Sequence, residues 1–180
     1  MPILRSSQPT DIEQITTIYA HHVQHGTGTF EITPPTIEEM LQRRNDVLTK
    51  QLPFLVATDG DRVLGYAYCN WFKPRPAYRF SAEDSIYLAP ECSGQGMGRA
   101  LLAELCSQAE RQGVRKMIAV IGDSANHASI GVHRSAGFQP VGTLTACGWK
   151  FDRWLDVVLM EKSLGVGNSS APEDKAKAPT

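Results

Sequence analysis

Residues 86–105 read IYLAPECSGQGMGRALLAEL: an apolar run stopped by Pro90, a loop with glycine at 94, 96 and 98, then apolar residues at helical spacing. Glycine accepts positive φ and close backbone approach, and the first turn of a helix offers unpaired N–H groups at the positive end of its dipole. A strand turning through such a loop into a helix is a seat for phosphate. Out of context it is equally an ordinary strand-to-helix turn. A Walker-type loop needs Lys-Ser or Lys-Thr after its last glycine, whereas Gly98 is followed by Arg99 and Ala100. A dinucleotide fingerprint belongs near the first strand, and here Arg99 stands where its third glycine would be. What survives is a pyrophosphate cradle of another kind, built from the amides of Gly94 to Arg99.

Working outward, Ile3 to Arg5 read as a first strand, and Thr10 with Glu13 as a capping box for a helix carrying Ile12, Ile15, Ile18, Tyr19 and Val23. Pro35, Thr36 and Glu39 announce a second helix. FLVATD (54–59) and VLGYAYCNW (63–71) flank an Asp59-Gly60 turn and read as a hairpin. FKPRPAYRF (72–80) is a loop, because Pro74 and Pro76 remove ladder donors. A strand over 83–88, a helix over 98–112, a strand at KMIAVIG, a helix closing at Gly137, and strands at FQPVGTLT and WLDVVLMEK complete the pattern. This predicts one α/β domain over residues 1–164, a mixed sheet of six or seven strands flanked by about four helices. The small, polar residues 165–180 are expected to form a disordered tail.

The chain has 180 residues, suited to one domain, and a net charge of −1 that gives no general attraction to nucleic acid or anionic lipid. The absence of a hydrophobic leader or a bilayer-length apolar run leads to the expectation of a cytoplasmic protein without a membrane partner. Cys69, Cys92, Cys106 and Cys147 form no CxxC pair and read as reduced thiols, small core residues rather than nucleophiles. No metal is expected. His21 and His25 have ligand spacing, but without an acidic partner they read as a solvated or partly packed helix face.

IYLAPECSGQGMGRALL followed by NHASIGVHRSAGF resembles the acetyl-CoA-binding core of the Gcn5-related N-acetyltransferase (GNAT) superfamily. GYAYCNWFKPRPAYRFSAEDSIYLAP, MIAVIGDSANHASIGVHRSAGFQPVGTL and GWKFDRWLDVVLM are, in that order, similar to the phosphinothricin and methionine sulfoximine acetyltransferases, from Ile3 to about Leu164. The resemblance implies a GNAT fold with a mostly antiparallel sheet, acetyl-CoA as cosubstrate, a small amino-acid analogue as acceptor, and a homodimer. One departure stands out. The superfamily's loop opens on Gln or Arg, and Ser93 occupies that position here, which removes any side-chain contact to phosphate.

Acetyl transfer to an amine needs a neutral nitrogen, a polarised thioester and a route for the thiolate. Glu83, opening the strand that leads to the cradle, is the carboxylate placed to take the proton, and the resemblance points to the same residue. The competing reading is a solvated strand-end acid. Amides of Ile86, Tyr87 and Leu88 are candidates for the pantetheine arm and the acetyl carbonyl if the strand splays from its neighbour, which the superfamily does with a bulge. The phosphates fall to Ser93, Gly94, Gln95, Gly96, Met97, Gly98 and Arg99. Asn126 is either a cofactor contact, as the resemblance implies, or a helix cap. His133 aligns with a family histidine near the thioester and is otherwise a core residue. For the substrate, Lys73, Pro74, Arg75, Tyr78 and Arg79 form a stiff basic loop suited to carboxylate or phosphinate. Phe30 and Trp71 would wall the pocket, either being otherwise a plain core residue, with Glu83, Asp84 and Ser85 alongside. Asp84 faces away from Glu83 by strand alternation. GWKFDRW, with Lys150 and Arg153, is left between a site-lining segment and an interface. The rival from another class is an acyl-CoA-binding module that has lost turnover.

Overall fold

The computed structural model describes residues 2–172. Within them the strands β1 (Ile3–Ser6), β2 (Phe54–Asp59), β3 (Arg62–Trp71), β4 (Ser81–Leu88), β5 (Lys116–Gly122), β6 (Gln139–Lys150) and β7 (Arg153–Ser163) form one sheet in the order β1-β2-β3-β4-β5-β7-β6. Only β4 and β5 are parallel; every other pair is antiparallel. The helices are α1 (Ile12–His25), α2 (Ile37–Thr49), α3 (Met97–Arg111) and α4 (His127–Ser135). This is the mixed, mostly antiparallel sheet with four helices that the sequence predicts.

Strand alternation assigns the layers. Tyr66, Tyr68 and Tyr87 meet Tyr19 of α1 and Phe54 on one face. Cys69 and Asp84, paired across β3 and β4, face α3 and α4. The core runs through both layers and includes the fully buried Ile15, Leu55, Ala67, Leu101, Leu105 and Met117.

Local differences from expectation have local causes. The capping box at the first helix joins Gln8 and Asp11 across a 3-10 turn, Pro9–Asp11, rather than Thr10 and Glu13, and α1 then starts at Ile12. Arg5 grips the Asp11 carboxylate with both terminal nitrogens, at 2.7 and 2.8 Å, which anchors that turn to β1. The Thr36–Glu39 box forms as expected. β6 runs on to Lys150, past the expected end at Thr145, because register shifts after Pro140 and after Leu144 absorb the extra residues. Of the expected tail, residues 173–180 lie outside the described residues, and Leu164 to Ser169 run in turns, Gly167 N–H donating to the Leu164 carbonyl.

Candidate active site

β4 and β5 pair only over Ser81 to Glu83 and Lys116 to Ile118, while β4 stays paired to β3 as far as Leu88. Beyond Glu83 the two parallel strands therefore diverge. The register between β3 and β4 has no shift, so the splay comes without the expected bulge. Backbone direction follows from alternation. The Phe80 carbonyl accepts from β5's side, whereas Ser81 and Ala89 bond toward β3. The amides of Ile86 and Leu88 thus point into the gap. That of Tyr87 points to β3, which corrects the expectation that all three are available.

The gap opens into a cavity of about 720 Å³ that passes through the sheet. On the α1 side it is lined by Tyr19, His22, the run Gly26 to Phe30, Tyr68, Glu83 and Tyr87. On the α3 and α4 side it reaches Ser93, Gly94, Gly98, Asn126, Val132 and His133. Its size matches a small-molecule site.

The glycine-rich loop takes the backbone form that its spacing suggests. Gly94 and Gly96 both have φ +78, a region closed to most side chains, and Gly96 caps α3. The first amide bonded within the helix is that of Ala100, so Met97, Gly98 and Arg99 keep free N–H groups. No acidic residue occupies the first turn to compete with an anion. The Met97 side chain is in the core. Gln95, Gly96, Met97 and Arg99 lie outside the cavity lining.

Glu83 sits where the strands part. Burial, and then the charge of Asp84, push its pKa above the ordinary carboxylate value, while Lys73 draws it back. Ser85, on the same face, lies opposite Tyr68 across β3 and β4. Asp84 turns to the opposite face, as strand alternation requires, and is buried against His133. Burial alone would lower the His133 pKa, but the hydrogen bond and charge of Asp84 outweigh it and the pKa is raised. Asn126 caps α4 by accepting from Ser129 N–H and sends its amide toward the Gly122 carbonyl, so the capping reading holds and the residue also lines the cavity.

Lys73, Pro74, Arg75, Tyr78 and Arg79 do not line the cavity: the loop folds on itself through the 3-10 turn Pro76–Tyr78, with Phe72 against Tyr78 and Arg79 bonding the Pro76 carbonyl. Only Lys73 is close enough for Glu83 to feel its charge. Trp71 lies near Lys50, away from the cavity, and Phe30 is the aromatic wall. Lys150 is buried, and Arg153 pairs with Asp123. Burial raises the thiols of Cys69 and Cys106, the latter to about 12, in keeping with inert core residues, whereas Cys147, on β6, is exposed and corrects the core reading for that position.

Sequence reasoning missed His22, whose Nε2–H donates to the Leu88 carbonyl at 2.8 Å across the gap. It also missed Gly26 to Thr29, for which the alternation GTGT between a helix and the Pro34-Pro35 pair was an available signal.

Residues 4–159 match the family described as the acetyltransferase (GNAT) domain. The chain is similar to the phosphinothricin N-acetyltransferase of Alcaligenes faecalis, 47% identical over 94% of this chain and 86% of that protein. It is 36% identical to the L-methionine sulfoximine/L-methionine sulfone acetyltransferase of Pseudomonas paraeruginosa, over 89% of this chain and 94% of the relative. Among solved structures, a GNAT superfamily phosphinothricin acetyltransferase from Sinorhizobium meliloti, in complex with acetyl-CoA, superposes with a TM-score of 0.93 at 43% identity, covering 97% and 94% of the two chains.

Proposed function

The chain belongs to the GNAT acetyltransferase family, and from that premise we propose that it moves acetyl from acetyl-CoA to the α-amino nitrogen of a small anionic amino-acid analogue of the phosphinothricin or methionine sulfoximine type. The observation that carries the reading is the splay of β4 from β5 at Glu83, which joins the amides at the start of α3 to the Phe30 wall through one slot.

In this mechanism the free amides of Gly98 and Arg99 hold the diphosphate, and the inward amides of Ile86 and Leu88 hold the pantetheine arm and polarise the thioester carbonyl. Glu83 accepts a proton from the acceptor's ammonium, directly or through water. The freed amine attacks the carbonyl carbon, the oxyanion leans on a β4 amide, and the C–S bond breaks to release coenzyme A thiolate, which takes up the second proton, shed by the nitrogen as it becomes an amide. A raised pKa brings the Glu83 carboxylate nearer to the amine it must deprotonate. His133 is a positioning residue in this scheme, because both of its ring nitrogens are already bonded. Lys73 and Arg75 supply a positive rim that attracts an anionic acceptor and repels polyamines.

The test is thiol release from acetyl-CoA across a panel of amino-acid analogues, polyamines and peptides. Turnover confined to small anionic amino acids supports the reading; cofactor binding without turnover on any amine returns it to a binding module. We also propose a homodimer through the β6–β7 arm, where Val141, Leu144, Trp149, Phe151 and Trp154 are exposed on an edge strand and its hairpin. Sedimentation of the wild type against Trp154→Glu tests it, a monomeric wild type refuting it.

A further inference from the structure

Behind the wall formed by Gly26 to Phe30 lies a cation that neither the base nor the cradle uses. Lys150 is 4% exposed, although its neighbours Trp149 and Phe151 are open to solvent. Its Nζ donates to the carbonyls of Gly26 and Thr29, each at 2.8 Å, and lies 5.0 Å from the centroid of the Phe151 ring. Among the described residues it makes no ion pair. Glu31, whose charge it feels, is bound instead to Arg43. An ammonium buried without a carboxylate is costly to desolvate and lowers its own pKa. Such a group is retained only where its hydrogen bonds hold something in place.

What it holds is the acceptor side of the cavity. Gly26 caps the C-terminus of α1, where carbonyls lack helical partners and the dipole favours a cation, and Thr29 precedes Phe30. Two glycines pack closely on this segment: a Cβ on Gly148 of β6 would lie 2.2 Å from the Phe30 ring, and one on Gly122 of β5 would lie 2.2 Å from the Thr27 carbonyl and 3.0 Å from the Phe30 ring. Thr29 is tied in turn to the Tyr19 hydroxyl at 2.9 Å. The hairpin that presents Lys150 turns through Phe151 and Asp152 with φ +53 and +55, so two residues with side chains sit in the left-handed region that such turns usually reserve for Gly or Asn.

We propose that Lys150 is a positioning residue that sets the acceptor pocket: its ammonium fastens the Gly26 and Thr29 carbonyls and thereby seats Phe30 against Gly148, at the spacing that admits a small amino acid and excludes a bulkier one. This rests on the function proposed above and adds the element that limits acceptor size.

The experiment compares Lys150→Met, which keeps the stem and removes the donors, with Gly148→Ala, which displaces the Phe30 ring while leaving Lys150 intact. Steady-state kinetics are read for small and bulky amino-acid acceptors, with calorimetric acetyl-CoA affinity and thermal midpoint alongside. Both variants are expected to raise the KM for the small acceptor on the order of tenfold to a hundredfold, the usual penalty for misplacing a substrate by about 1 Å. The preference for small over bulky acceptors narrows, and acetyl-CoA affinity stays within about twofold of wild type. Unchanged acceptor KM and preference in Gly148→Ala overturn the proposal even if Lys150→Met does not fold. So does a parallel loss of acceptor and acetyl-CoA binding in both variants. A wild type that acetylates no amino acid overturns both this proposal and the function beneath it, whereas an active wild type with indifferent variants overturns this one alone.

Discussion

The imidazole Nε2 of His133 lies 2.9 Å from Oδ2 of Asp84, joining α4 to β4 across 49 positions of chain, with side chains 3% and 2% exposed. On the other edge of the ring, Nδ1–H donates to the Ser129 carbonyl at 2.8 Å. A carbonyl only accepts, so Nδ1 carries a proton, and a second proton on Nε2, which the raised His133 pKa favours, makes the contact with Asp84 an ion pair. Removing one partner of such a pair strands a buried charge. Asp84→Asn is therefore expected to cost about 3 kcal/mol in urea denaturation near pH 6. The His133 pKa is raised, so the stabilisation is complete below the ordinary histidine value of about 6.5 and is lost as pH climbs through the raised value. The difference between wild type and variant should shrink as pH rises above neutrality; a constant difference contradicts the assignment.

Glu83→Gln should lower kcat by about two to four powers of ten and leave acetyl-CoA affinity nearly intact, because a general base acts in the chemical step. The wild-type rate should fall on the acid side through a limb lying above the ordinary carboxylate range, since the base must be ionised to work and its pKa is raised. Equal rates in the two proteins remove Glu83 from the mechanism.

Lys73→Ala tests the electrostatic link to the loop. Lys73 holds the Glu83 pKa down against burial and Asp84, so its removal should move the acid limb to higher pH with little change in the plateau rate. A limb that stays in place shows that solvent screens the pair completely.

Arg75→Glu places a negative charge on the exposed rim. The KM for anionic acceptors should rise severalfold while acetyl-CoA affinity is unaffected, and the effect should weaken with added salt. An equal effect on both substrates points to misfolding of the loop instead.

Gly96→Ala adds a methyl group into open space, with nothing within 4 Å, so its effect comes from the φ of +78 alone. We expect about 1–2 kcal/mol of lost stability from that backbone conformation. Acetyl-CoA binding should weaken as the cap of α3 shifts, with acceptor KM little changed. Calorimetry showing unaltered acetyl-CoA binding would show that the cradle tolerates an altered loop.

The elements that repeat locally were legible before any coordinates. Thr36 and Glu39 lie three apart and satisfy each other's backbone amides, Asp59-Gly60 reverses the chain between apolar runs, and Gly94 and Gly96 take the left-handed φ that their residue type permits. The basic loop was legible only in part. Two prolines exclude it from the sheet, and it turns on itself at Pro76–Tyr78, but sequence carries no signal for which way a stiff loop leans.

From its sequence alone this chain determined a glycine-rich turn into a helix, a carboxylate ahead of it, and the alternation of strands and helices around them, because φ preferences, caps and apolar periodicity act between residues a few positions apart. Tertiary structure alone decided that β4 leaves β5 at Glu83, that Asp84 meets His133, and that Lys150 reaches the carbonyls of Gly26 and Thr29, 124 and 121 positions away. The physical reason is that a buried charge or a splayed strand is stable only when distant segments supply its partners, and local spacing does not encode those partners.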